Sequence, residues 1–135
     1  MWARIAMGAG FAALVAFTSP AFAETKAHYF GHWVNEDAAT KNIVYIDISN
    51  GPGNKIRVHA YGKCTPTPCD WGTVFADRIP DGSGFKYRAA FNQGFAMKHL
   101  MLNINPIGTL RVTTTVRFTD GSGRTDYAKH EIFRH

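Results

Sequence analysis

From Leu110 to Phe118 the side chains alternate without a break, with Leu110, Val112, Thr114, Val116 and Phe118 on one side and Arg111, Thr113, Thr115 and Arg117 on the other. A β-strand sends successive side chains to opposite faces, so this period of two is what a half-buried strand requires. The same pattern recurs along the chain. Ile56, Val58 and Ala60 alternate with Lys55, Arg57 and His59, and Phe85, Tyr87, Ala89 and Phe91 oppose Lys86 and Arg88. A first strand is expected over Tyr29 to Asn35 and a second over the β-branched run Ile43 to Ile48. A fourth should carry Trp71, Thr73 and Phe75 on one face, a sixth should span Phe95 to Ile104, and the last Thr125 to Arg134.

Turn chemistry separates these runs, in tracts such as Ser49-Asn50-Gly51-Pro52-Gly53-Asn54, Pro80 to Gly84, Asn105-Pro106-Ile107-Gly108 and Asp120 to Gly123. Parallel neighbours need crossovers of a dozen or more residues, which connections this short do not supply. The expected class is therefore all-β, an eight-stranded antiparallel up-and-down β-barrel whose closure removes exposed sheet edges. A two-sheet β-sandwich satisfies the same pattern, and a smaller Greek-key barrel is a third arrangement. A barrel of this size is just wide enough to be filled by its side chains or to hold one small ligand.

The chain is expected to be exported. Arg4 precedes the apolar run Ile5 to Phe17, and Ala21-Phe22-Ala23 offers a small-x-small cleavage pattern, as in a secretory signal peptide cut after Ala23. That leaves residues 24–135 as a single domain. The apolar run is shorter than the roughly 20 residues of a membrane-crossing helix, and no second run of that length follows, so no transmembrane segment is expected after cleavage. The periplasm or the extracellular space is the expected location.

Both cysteines of the chain sit in Gly62-Lys63-Cys64-Thr65-Pro66-Thr67-Pro68-Cys69-Asp70-Trp71-Gly72. In an oxidising compartment Cys64 and Cys69 should form a disulfide across a proline-stiffened loop between strands. Asp70 is placed to accept backbone N–H groups and to set the start of the next strand. A zinc site is not expected, because the other ligands of a tetrahedral set are missing.

The formal charge of the whole chain is +5, and Arg4 is the only charged residue of the leader. This modest surplus is spread along the chain rather than clustered, which argues against nucleic acid as a partner. Lys55, Arg57, Lys86, Arg88, Arg111 and Arg117 fall on the polar faces of their strands. They would either keep the exterior soluble or, on neighbouring strands, gather into a face for an anionic envelope or extracellular partner.

No catalytic residues, cofactor or metal are expected. His28 and His32 share a face if both lie on the first strand, but no carboxylate motif accompanies them, and no nucleophile elbow or phosphate loop is present. The aromatic inventory is the one hint of cargo. Trp33, Asn35, Trp71, Phe75, Tyr87, Phe91, Phe95, Met97 and Phe118, with Met101, are candidate lining residues for a small apolar or aromatic ligand. The same residues would equally fill a solid core, or face outward in a different register.

Phe30-Gly31-His32-Trp33-Val34-Asn35 resembles the opening of lipocalins and avidins, calycin-like barrels in which the tryptophan plugs one end. The resemblance implies a ligand-facing role for Asn35, as in the avidin biotin set, and an arginine packed over Trp33, either Arg134 or Arg124. Trp33-x-Asn35 followed by Gly62-x-Cys64-x-Pro66-x-x-Cys69-Asp70-Trp71-Gly72 also resembles a group of small secreted bacterial proteins with no assigned activity. The function expected is a non-catalytic binding module, or alternatively a protein that presents the Cys64 to Cys69 loop or its basic face to a partner.

Overall fold

The alternating runs become strands in the computed structural model, which describes residues 25–135; the leader expected over residues 1–23 lies outside the described residues. The strands are β1 (Gly31–Asn35), β2 (Ile43–Asn50), β3 (Ile56–Gly62), β4 (Cys69–Asp81), β5 (Gly84–Asn92), β6 (Ala96–Ile104), β7 (Leu110–Phe118) and β8 (Tyr127–Arg134). Each pairs antiparallel with its neighbours in sequence and β8 returns to β1, giving a closed up-and-down barrel rather than a sandwich.

The pairing is uneven around the circle. β6 and β7 pair along their whole length, from Ala96↔Phe118 to Ile104↔Leu110. The seam that closes the barrel pairs only Val34↔Arg134 and Asn35↔Phe133. It is extended by the Glu36 N–H donating to the Ile132 carbonyl at 2.9 Å.

Inward positions of the middle layers are taken by Trp33, Ile46, Val58, Tyr87, Leu100 and Phe133, all fully buried in one apolar cluster. Side chains thus occupy the middle of the barrel, and room for a ligand lies at its ends. One end is closed by the residues before β1. The strand expected from Tyr29 begins at Gly31 instead, because Lys26–Tyr29 wind into a 3-10 turn. Burying the Tyr29 ring outweighs an extended backbone there: the ring meets Tyr87 edge-on at 4.8 Å, and its Oη accepts the Ile104 N–H at 3.2 Å. The Tyr29 carbonyl in turn accepts the Trp33 indole N–H at 2.9 Å. Gly31 makes the bend into β1 at φ +134°, where a Cβ would also collide with the His135 ring.

Two further expectations are corrected. His28 lies on the 3-10 turn, its Nδ1 accepting the Thr25 N–H at 3.1 Å, while His32 stands 2.5 Å from Asp47, so the two do not share a strand face. The Trp33 ring is covered by His135, with centroids 3.8 Å apart, and not by an arginine. Phe133 takes the inward site of β8, so the next residue, Arg134, must face outward, where its Nε donates to Glu36 at 2.8 Å. Arg124 stands instead over Phe118, at 4.2 Å.

β4 also departs from simple alternation. Between His59↔Thr73 and Tyr61↔Asp70 it carries one extra residue, a β-bulge at Trp71–Gly72 with Gly72 at φ +93°. The bulge turns Trp71 inward together with Val74 and Ala76. Thr73 and Phe75 therefore do not share its face, and Phe75 is 53% exposed on the outside. Met97 and Met101 face outward as well, opposite Arg117 and Thr113, because Leu100 and Leu102 take the inward sites of β6.

Candidate functional site

The other end of the barrel is open, ringed by the segments 36–42, 63–68, 93–95 and 119–126 that join strands there. The 63–68 segment contains a cis Thr65-Pro66 peptide, and Cys64 is disulfide-bonded to Cys69 at the start of β4 with Cα atoms 5.4 Å apart. Closing so short a loop stabilises the fold by roughly 2 kcal/mol through loop-closure entropy. Asp70 acts as its sequence position suggests. Its Oδ1 accepts the Gly72 N–H at 2.7 Å, which fixes the bulge, and the His59 ring stands 2.7 Å away. The Gly72 amide, and then His59, hold the Asp70 carboxyl below its usual range.

This bulge lays the Trp71 indole across the mouth. The ring rests against Gly62, where a Cβ would fall on the indole itself, and meets Phe91 below it edge-on at 5.9 Å. The two tryptophans of the described chain therefore lie toward opposite ends: Trp33 beneath Tyr29 at the closed one, Trp71 over Phe91 at the open one.

Above Trp71 lies a depression of about 230 Å³ whose lining includes Lys41, Lys63, Trp71, Phe95, Lys98 and Tyr127, with the disulfide at its edge. Lys98 is the unexpected member. It shares the inward side of β6 with Leu100, and its Nζ sits 4.1 Å from the centroid of Trp71 and 5.5 Å from that of Phe95. Among the described residues no carboxylate lies within ion-pair distance of it. Burial pushes its ammonium below the usual lysine range.

A larger depression, about 570 Å³, runs between Pro52 to Lys55 and Asp77 to Pro80 at the opposite end. No aromatic side chain is among its lining residues; Lys55 is paired with Asp77, and Arg78 is turned to the Phe85 ring, 3.9 Å from its centroid. The smaller mouth is the better site on chemistry, because it combines aromatic faces with a cation that lacks a partner.

The rim continues through Phe95, Phe118 and Tyr127, whose rings follow one another at 6.4 and 6.2 Å. Arg124 lies over Phe118 and donates to Asp120 at 2.8 Å. Ser122, through its hydroxyl and its amide, and then Arg124 hold the Asp120 carboxyl down to about 2. Asp126 accepts the Phe118 N–H at 3.0 Å, so the acids of this rim are turned to local structure.

Beside the mouth, sequence reasoning missed a buried polar cluster. Glu131, only 7% exposed, accepts hydrogen bonds from Asn35 Nδ2 at 2.9 Å, Thr40 Oγ1 at 2.5 Å and Asn42 Nδ2 at 3.0 Å. Asn42 Nδ2 also reaches Thr114 Oγ1, at 3.2 Å. Asn35 further donates to the Ile43 carbonyl and accepts the Asp37 N–H, both at 2.9 Å. Its amide is thus engaged within the protein at every polar atom.

Of the candidate lining residues, then, Trp71, Phe95 and Phe118 come together at the open end with the disulfide, and Phe91 lies directly beneath. Trp33 and Tyr87 belong to the core and the closed end, Asn35 to the Glu131 cluster, and Phe75 and Met97 to the exterior. Among the described residues no group of three His, Cys, Asp or Glu side chains is arranged to hold a metal ion, and both cysteines are bridged. No helix among them is long and apolar enough to cross a membrane. Comparisons with family models, with curated proteins and with solved structures found no match.

Proposed function

We propose that this protein is a non-catalytic binding module that receives a small aromatic or apolar ligand at the open end of its barrel. The observation that supports this reading is the partly buried Trp71 ring, turned into the mouth by the Gly72 bulge, lining the depression there and backed by Phe91. Holding the ring in place beforehand removes part of the ordering cost of binding. The filled middle of the barrel directs the ligand to the rim. A panel of single-ring fragments, neutral and charged, titrated into labelled protein while backbone and indole N–H signals are followed by NMR, tests it. Shifts confined to Trp71, Phe95 and the 63–69 segment, and lost in Trp71→Ala, are expected. No shift there with any fragment, or shifts that survive Trp71→Ala, would count against the reading.

A second reading, an interaction protein facing an anionic envelope or extracellular partner, has its own support. Residues 82–119 contain no Asp or Glu. Lys86 and Arg88 on β5 and Arg111 and Arg117 on β7, the two strands that flank β6, have no carboxylate within ion-pair distance among the described residues, whereas Lys55 is paired with Asp77. Retention on an immobilised sulfated polysaccharide should fall to lower salt in a Lys86→Glu, Arg111→Glu variant. Equal retention of the variant and the native protein would set this reading aside.

A further inference from the structure

We infer that the ligand of the open end is a small monocarboxylate bearing one aromatic ring or a short apolar chain, and that Lys98 Nζ receives its carboxylate. The inference rests on the binding-module reading and gives it a ligand chemistry.

Lys98 is a cation brought inside the wall of the barrel, and among the described residues no carboxylate lies within ion-pair distance of it. A half-buried ammonium loses hydration, and among the described residues the faces of Trp71 and Phe95 are what compensates it. An arriving carboxylate would form a charge-assisted hydrogen bond where solvent is already partly displaced. Two more lysines, Lys41 and Lys63, line the same depression, and among the described residues no Asp or Glu does. That balance draws anions toward the mouth and turns cations away. Glu131, the nearest layer behind Asn42, is committed to Asn35, Thr40 and Asn42.

Size and donor type narrow the class. The space, about 230 Å³, is below the roughly 300–1,000 Å³ of pockets that take drug-sized molecules, so one ring with its head group is the scale that fits. A phosphate ester would favour a guanidinium fork, and no arginine is among the lining residues. A carboxylate is served by a single lysine, with the ring of the ligand against Trp71.

Sodium benzoate and the neutral isostere benzamide test this directly, each titrated into native protein, Lys98→Met and Lys98→Arg with the Trp71 indole and the 63–69 amides as NMR reporters. Benzoate should bind native protein at least about tenfold more tightly than benzamide, a ratio within reach of one charge-assisted contact. In Lys98→Met the two should bind equally, with benzamide unchanged, and Lys98→Arg should restore the preference. Unshifted Trp33 and core signals report that the variants are folded, and Lys98→Gln gives the same comparison should the methionine variant fail to fold. Equal binding of the two compounds to native protein, or a benzoate preference that persists without Lys98, overturns this inference while leaving the binding module standing. Shifts at the mouth with neither compound overturn both.

Discussion

Trp33→Ala is expected to destabilise the protein by about 3 to 5 kcal/mol, the range for removing a large aromatic side chain from a packed core. Trp33 is fully buried, lies opposite Ile46 on β2, donates its indole N–H to the Tyr29 carbonyl at 2.9 Å and carries the His135 ring on its face. The substitution would leave a void between β1 and the core and would free the Tyr29 carbonyl that the indole now holds. It therefore loosens the whole closed end rather than a single contact. Domains of this size typically have about 5 to 15 kcal/mol in hand, so a melting temperature lower by on the order of 15 °C is expected. Urea unfolding followed by far-UV circular dichroism measures it. Trp33→Phe should fall between the two proteins, since it keeps most of the apolar volume and loses the N–H. A midpoint for Trp33→Ala within the error of the native one would mean that Tyr29 closes the end by itself.

The barrel was legible because alternation is strong where one face of a strand is wholly apolar. Leu110 to Phe118 pairs as its pattern implies, and the tracts of Gly, Pro, Asn and Asp fall at the turns. The departures share a cause, which is a local choice decided by tertiary contacts. Alternation places Trp71 with Phe75, and only the inserted residue at Gly72 separates them. In β6 apolar residues occupy both parities, with Met97 and Met101 against Leu100, Leu102 and Ile104, so the sequence alone does not reveal which set is inward.

The same ambiguity hid the candidate site. Once Leu100 is inward, parity also places Lys98 inward, and once Phe133 is inward, Glu131 follows. Extending the apolar parity of a strand through its charged residues would have found both. The instinct to place every Lys and Glu outside works against that step, because such residues are seldom buried without a partner. Glu131 has its partners on a loop, 36–42, that alternation does not describe. Lys98 has none within the described chain, and that exception is what directs attention to the mouth.

Glu131→Ala should cost about 3 kcal/mol, because it leaves the donors of Asn35, Thr40 and Asn42 buried without their acceptor, each at a penalty of about 1–3 kcal/mol less whatever local rearrangement recovers. The position of the cluster matters as much as its strength. The β1–β8 seam has few registered pairs, and Asn35, which pairs with Phe133 there, is the residue that Glu131 holds from inside. Thr40 and Asn42 tie the 36–42 segment to the same carboxyl, so this one side chain joins β8 to β1 and to the segment that follows it. Opening should therefore concentrate at the seam. Amide hydrogen exchange in β1 and β8 is expected to accelerate more than in β6 and β7, whose ladder runs their full length. Glu131→Gln should be milder, about 1–2 kcal/mol, since one oxygen remains to accept while the new NH₂ group faces donors. Uniform acceleration across all strands would show that the cluster supports the fold globally and not the seam. If Glu131→Ala unfolds at the same urea concentration as the native protein, the barrel is closed by its apolar layers, and the carboxyl contributes no more than its own burial costs.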